Sequence, residues 1–541
     1  MFYGRVSGLA FAIAALACAG AASNPVFAQS AEPLSPEDIF LLEAAAEPRI
    51  APDGSTIAYI RRSNDIMTDQ TRSSIWLVDT DGSNHRPLVA GDAQTQSPQW
   101  SPDGSRLAFV QSVENGASIR IHDASGDREL TTVQGGVSNL SWSPDGRRLA
   151  FASFVPEGGL DPAPLPEQPE GAEWAASATV EDRLMFRFDG TGALPRGSQQ
   201  IFILDPETGN TRQLTDGSPG ASGDFTWSAD GSAILFSADR RPDAGSLAPD
   251  TELHRITLRD GDISQLTNRR GPDSSPRSAP DGSRLAWLGY DDHRMGYHNV
   301  ELYVGAPDGS DPQSLTAGLD RSVSAPVWAD DGSGLYVQYD DHGQTRVAFV
   351  SLGGEVTIRA DGLIGATFGR PYTGGSYSVA DDGTVAAMTG SPVRPSDITV
   401  FPQGEEARQV TALNEDVLAH RSLSMAEDIR WTSPHDGTEI QGWVLYPPGF
   451  DPSEEWPLIL EIHGGPFSAY GPSFTAELQL MAAAGYVVLY TNPRGSTSYG
   501  YDFANLIHHD YPGNDYDDLM GAIDTMLDRG FIDEERLFVT G

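Results

Sequence analysis

Three short runs near the C-terminus carry the residue types best suited to chemistry. Leu458-Ile459-Leu460-Glu461-Ile462 is an apolar strand that breaks into His463-Gly464-Gly465-Pro466. A Gly-Gly loop placed after a strand can aim a backbone N–H at a developing oxyanion. Asn492-Pro493-Arg494-Gly495-Ser496 follows a second apolar run, and Leu537-Phe538-Val539-Thr540-Gly541 closes the chain. This last run is a β-branched strand ending in glycine, as a strand feeding a G-x-S-x-G nucleophile elbow would be. On that reading the serine falls about two positions past Gly541. None of the 11 histidines is a credible base. His508-His509-Asp510 looks triad-like, but adjacent residues point in different directions, so the three read as surface residues.

The elements that must position these runs alternate strand and helix. A hairpin is expected over Ile429–Ser433 and Glu439–Tyr446, with its turn at Pro434-His435-Asp436-Gly437. Ser473 is placed to cap a helix running to Ala484, with Gly485 as its stop. Tyr486–Thr491 is continuously apolar, as a parallel strand covered on both faces would be. A second helix is expected from about Tyr516 to Arg529, with Leu519, Ile523, Met526 and Leu527 on one face and Gly530 past its end. The order implies an α/β sandwich.

These motifs, with Tyr499-Gly500 and Asp515-Tyr516-Asp517-Asp518-Leu519 between them, resemble the prolyl oligopeptidase family of serine peptidases. The likeness is greatest to its bacterial acylaminoacyl-peptidase and dipeptidyl-peptidase branch, and it extends through the N-terminal repeats. The resemblance implies acyl transfer through a serine that a histidine activates and an aspartate orients. In this fold the order is serine, acid, histidine, so the resemblance places all three beyond Gly541 and no catalytic side chain within the chain. It makes the Gly465 N–H one donor of the oxyanion hole, supported by His463, Gly464 and Pro466. His463 then braces the loop rather than moving protons. Arg494, and with it Asn492, is a candidate for touching substrate; the alternative is an ion pair from Arg494 to Asp517 or Asp518, and the ion pair is preferred. A chain ending at Gly541 is expected to leave an apolar strand as an uncovered sheet edge, an aggregation site, which suggests a fragment or incomplete gene model.

Upstream the chain repeats itself. An Asp-Gly turn between two strands recurs at Asp53, Asp103, Asp145, Asp230, Asp281, Asp331 and Asp382, at spacings of 50, 42, 85, 51, 50 and 51 residues. The clearest copies are Trp100-Ser101-Pro102-Asp103-Gly104 and Trp142-Ser143-Pro144-Asp145-Gly146. Each unit adds a second strand pair, such as Gln200–Asp205 with Gln213-Leu214-Thr215. Four strands per repeat is the arithmetic of a β-propeller blade. The expected fold is therefore an all-β seven-bladed propeller followed by the N-terminal part of an α/β-hydrolase domain. The long spacing marks an insertion over residues 155–197, at the rim, where it could cover a substrate entrance or contact another subunit. The repeat tryptophans read as blade packing, and the aspartates as turn residues.

Lys and Arg number 35 against 76 Asp and Glu, a net charge of −41. Such a surface repels phosphate backbones and anionic lipid heads, which argues against nucleic acid or a membrane as partner. The acidic residues fall in no EF-hand or nonapeptide pattern, so no metal or other cofactor is expected. Arg5, the apolar run Leu9–Ala19 and Val26-Phe27-Ala28 have the order of a secretory signal cleaved after Ala28. Cys18 sits in a weaker lipid-attachment context, and cleavage would remove this sole cysteine. A periplasmic or secreted product is expected.

The organisation read from these signals is a signal peptide at 1–28, a helical segment at 29–48, the propeller at 49–420 and an incomplete hydrolase domain at 421–541. The function expected is an exported serine peptidase hydrolysing short peptides, inert without the missing triad. The alternative is a periplasmic propeller binding module with a degenerate hydrolase remnant. Neither the choice between dipeptidyl and acylaminoacyl release nor homo-oligomerisation follows from the sequence.

Overall fold

The computed structural model describes residues 31–541 apart from 90, 92–93, 159–165, 176–177, 179, 218–223 and 245–249. The proposed signal peptide and Cys18 lie outside the described residues.

From Glu43 to Gln409 the chain forms antiparallel sheets built from consecutive strands. Five are four-stranded, the first being Glu43–Ile50, Thr56–Asp65, Gln70–Asp79 and Arg86–Pro87. Two further groups, Val323–Leu363 and Tyr377–Gln409, join at the single pair Leu363↔Thr389 into an eight-stranded sheet. Each Asp-Gly turn links the first strand of a group to the second. The seven turn glycines have φ between +66° and +83°, the left-handed region that glycine enters without penalty. The aspartate completes the turn: Asp103 accepts the Ser105 N–H at 3.1 Å and the Ser101 hydroxyl at 2.5 Å.

The first strands share a second device. In five of them a β-bulge accompanies a residue in the left-handed conformation: Glu47, Ser97, Asn139, Ser275 and Ala325. The bulge bends the strand. The tryptophan that ends such strands then donates to the preceding sheet: Trp100 Nε1 to the Arg49 carbonyl at 2.9 Å, Trp142 to Gln99 at 3.1 Å, Trp328 to Arg277 at 2.9 Å. The tryptophans therefore pack sheet against sheet. The first and last groups also touch, through Ile50 N–H to Ser378 Oγ and Ser396 Oγ–H to the Ala45 carbonyl, both 2.8 Å.

Two expectations are corrected here. The described part of the segment expected to be helical over 29–48 holds the short strand Glu32–Pro33, a 3₁₀ turn, Pro36–Phe40, and the start of the strand Glu43–Ile50. Ala44, Ala45 and Ala46 are buried, and packing in the first sheet overrides the helix preference of alanine. The repeat region thus begins at Glu43, not at 49. The insertion lies between the second and third strands of its sheet and contains the small hairpin Arg187–Phe188 and Gly192–Ala193.

The last region is a five-stranded sheet. Its strands are β1 (Ala426–Thr432), β2 (Glu439–Leu445), β3 (Trp456–Ile462), β4 (Val487–Asn492) and β5 (Ile532–Thr540), in the order β1-β2-β4-β3-β5. The first two are antiparallel to their neighbours; β3 runs parallel to both β4 and β5. Helix α1 (Ala476–Ala483) places Leu478 and Ala482 against Trp443 and Tyr490. Helix α2 (Asp515–Leu527) places Ile523 and Met526 against the opposite face, with Leu458 and Leu489. With both faces covered, β4 is buried throughout. Strand β5 is an edge strand whose Leu537, Phe538 and Val539 are exposed.

Helix α1 starts later than expected. Its N-cap position is Thr475 rather than Ser473, and the Ala476 N–H is satisfied by the Phe368 carbonyl at 2.9 Å. A main-chain acceptor from the repeat region fills the role assigned to a serine side chain.

Candidate active site

Strand β3 delivers His463-Gly464-Gly465-Pro466 to the C-terminal edge of the parallel strands, the edge at which open α/β sheets bind ligands. Gly465 has φ +145°, reached without strain by glycine alone. Both polar backbone atoms of Gly464 are held. Its N–H donates to the Tyr372 hydroxyl at 3.2 Å, and its carbonyl lies 3.1 Å from His463 Nδ1. Among the described residues no acceptor is placed on the Gly465 N–H. The Gly464 carbonyl and the Gly465 N–H belong to one peptide unit, so holding the first aims the second the opposite way. The loop therefore presents an open donor in a fixed direction, as an oxyanion site requires.

His463 is buried, and that burial pushes its imidazole below the usual histidine range, leaving it neutral near pH 7. Nδ1 carries the hydrogen that the Gly464 carbonyl accepts. Nε2 lies 2.9 Å from Ser496 Oγ. Ser496 Oγ also lies 2.7 Å from the Pro493 carbonyl. This serine–histidine contact was not read from the sequence. It lacks a nucleophile's surroundings, because Ser496 is 1% exposed and Nδ1 faces a carbonyl rather than a carboxylate.

Asn492 and Arg494 hold structure. Asn492 accepts the Tyr470 N–H at 2.8 Å and donates to the Tyr470 carbonyl and the Tyr499 hydroxyl, both at 2.9 Å. Arg494 lies buried between two carboxylates. Nε and Nη2 reach Asp518 at 2.9 Å, and Nη1 and Nη2 reach Asp436 at 3.1 Å. Nη2 also donates to Ser433 Oγ at 2.9 Å. These partners hold the guanidinium protonated and the Asp436 carboxyl well below its ordinary range. The preferred reading, the ion pair, is the observed one: Asp518 is the acid named from the sequence, and Asp436 is a second that was not. Asp517 instead lies 3.8 Å from His435.

His509 and Asp510 are exposed, in keeping with a surface role. His508 differs: its Nδ1 accepts the Gly296 N–H at 3.0 Å, bridging to the repeat region. The three residues make no triad. Tyr372 was missed by sequence reasoning because it belongs to no motif and lies 92 residues from the glycine it holds. Among the described residues no group of three or more His, Cys, Asp or Glu is arranged to hold a metal ion. Among the described residues no helix is long and apolar enough to cross a membrane.

Comparison with known proteins gives concordant results. A family model described as prolyl oligopeptidase family matches residues 472–541, and one described as TolB β-propeller domain matches residues 53–159. An uncharacterized peptidase, YuxL, of Bacillus subtilis is 31% identical over 94% of this chain and 78% of its own. Dipeptidyl-peptidase 5 of Porphyromonas gingivalis is 26% identical over 94% and 75%. The solved acylaminoacyl peptidase of Pyrococcus horikoshii superposes with a TM-score of 0.74 at 21% identity, covering 93% of this chain and 74% of that one.

Proposed function

The chain belongs to the prolyl oligopeptidase family, and from that premise we propose that it supplies the propeller and oxyanion loop of an exported serine peptidase acting on short peptides. The observation that carries this reading is the Gly465 N–H, left without an acceptor among the described residues on a loop whose neighbouring peptide atoms are fixed. Such a donor stabilises the tetrahedral intermediate that forms when a serine attacks a peptide carbonyl. His463, Gly464 and Pro466 shape the loop. The nucleophile, base and acid are assigned to none of the described residues.

We read the eight-stranded sheet as two blades touching at Leu363, which makes seven blades over Glu43–Gln409. The Trp contacts between successive sheets and the contact between first and last support a closed ring. The hydrolase region then begins at Ala426. The names of the relatives point to release of dipeptides or of acylated amino acids as the reaction class. Residues 1–28 direct export.

The test is expression of the gene's entire reading frame, fluorophosphonate labelling, and assay with dipeptidyl and acyl-alanyl chromogenic substrates. Labelling of a serine just past residue 541, with turnover of one substrate class, is expected. A reading frame without the elbow, or absence of both label and turnover, overturns the peptidase reading and leaves a propeller binding module.

A further inference from the structure

The oxyanion loop is gripped by a segment that is not part of the hydrolase sheet. Residues 364–376 leave the repeat region after the strand Val356–Leu363 and return at Tyr377–Val379. Between these points the segment lies along the α/β region. The Phe368 carbonyl accepts the Ala476 N–H at 2.9 Å, the Pro371 carbonyl accepts the Gly471 N–H at 2.8 Å, and the Thr373 N–H donates to the Ala469 carbonyl at 2.9 Å. Two side chains then reach β3 and its loop. Arg370 pairs with Glu461, a fully buried carboxylate that also accepts the Tyr470 hydroxyl at 2.8 Å. Tyr372 accepts the Gly464 N–H, with its ring edge-on to Tyr470 at 4.9 Å. The segment is itself tied back to the repeat region: Thr373 Oγ1 donates to Asp340 at 2.7 Å, and the Gly374 N–H to Thr345 Oγ1 at 2.8 Å.

We propose that Tyr372, carried by the propeller, is a positioning residue for the oxyanion hole, fixing Gly464 so that the next N–H, that of Gly465, stays aimed at the reacting carbonyl. This deepens the peptidase reading and rests on it. Arg370 holds Glu461 at the C-terminal end of the same strand and Tyr372 holds the loop that follows it, so the propeller helps to assemble the site. A donor that must meet charge only as it develops gains from being held before the reaction.

Tyr372→Phe deletes the acceptor while keeping the ring contacts. In the full-length enzyme the expected result is a roughly tenfold loss of kcat, the factor for one modest hydrogen bond, with KM and melting temperature unchanged. Amide hydrogen exchange at Gly464 is expected to quicken by a similar factor. Tyr372→Leu, which also removes the ring, is expected to lose more of both, and Tyr372→His, which keeps an acceptor, to recover part. An unchanged kcat with unchanged Gly464 exchange overturns the proposal, as does a rise in KM at constant kcat, which would make Tyr372 a substrate contact. Should the parent protein neither label with fluorophosphonate nor turn over, the peptidase reading fails. Exchange at Gly464 then decides positioning alone: quicker exchange in the Phe variant sustains it, and equal exchange overturns it.

Discussion

In the repeated sheets an aspartate bonds to a serine two residues away, whereas in the α/β region it reaches across dozens of residues. Asp103, Asp145 and Asp230 each take a hydroxyl from the serine two positions before them. Asp518 and Asp436 instead meet at Arg494, from 24 and 58 residues away. The first arrangement is made at three of the seven turns, and losing one copy leaves the others intact. The second is made once, buried, and joins the β1–β2 turn, the end of β4 and the start of α2. Repetition spreads stability over many weak local bonds; the unrepeated region concentrates it in a few.

The contrast is open to breakage, and the largest effect is expected at Arg494. Asp518→Ala leaves the guanidinium buried with half its partners gone, a loss of about 3–5 kcal/mol in urea denaturation; a loss no greater than that of a turn aspartate would end the distinction. Next comes Trp142→Phe, which deletes the bond to Gln99 and weakens the stacking of Arg106, 4.5 Å above the indole. About 1–2 kcal/mol is expected, read by the same measurement.

Glu252 sharpens the comparison as an exception inside the propeller. Burial, with help from Asp273 and Asp250, pushes its carboxyl up to about 7, against the bonds from Thr267 and the Arg269 backbone. The folded chain therefore holds this proton to higher pH than the unfolded chain does. Its contribution is complete below pH 4.5 and is lost as pH rises through about 7. Glu252→Gln is expected to be more stable than the parent at pH 8 by about 1 kcal/mol, after allowance for screening, and level with it at pH 4.5. Thermal melts at the two pH values check this. Smallest of all is Asp103→Ala. The Ser101 and Ser105 bonds lower this carboxyl to about 2, so its contribution is present above pH 3.8 and fades as pH falls through about 2. A loss below about 0.5 kcal/mol at pH 7 is expected for so exposed a group.

The same distinction decides what could be read from the sequence. The blades were legible because an Asp-Gly turn, a flanking tryptophan and alternating strands are written within about ten residues. The Gly464-Gly465 loop and both α/β helices were legible for the same reason, and Arg494 was correctly weighed toward an acid because acidic residues cluster at Asp515–Asp518. Tyr372, Arg370 and the Phe368 carbonyl were not legible. Their partners are set by where the propeller meets the hydrolase sheet, and no spacing along the chain encodes that meeting. The strand Glu43–Ile50 was misread because its alanines take their conformation from the sheet they enter.

The contact between the first and last blades has a consequence for how the molecule acquires its shape. Each blade is a run of consecutive hairpins, but the bonds from Ile50 to Ser378 and from Ser396 to Ala45 span 328 and 351 residues. Bringing chain ends that distant together costs roughly 5 kcal/mol in polymer entropy, a charge no single hairpin bears. Contacts of such long range form late, after local ones have shortened the effective chain. The ring is then a row of locally assembled blades whose seam, spanning the longest stretch of chain, shuts last.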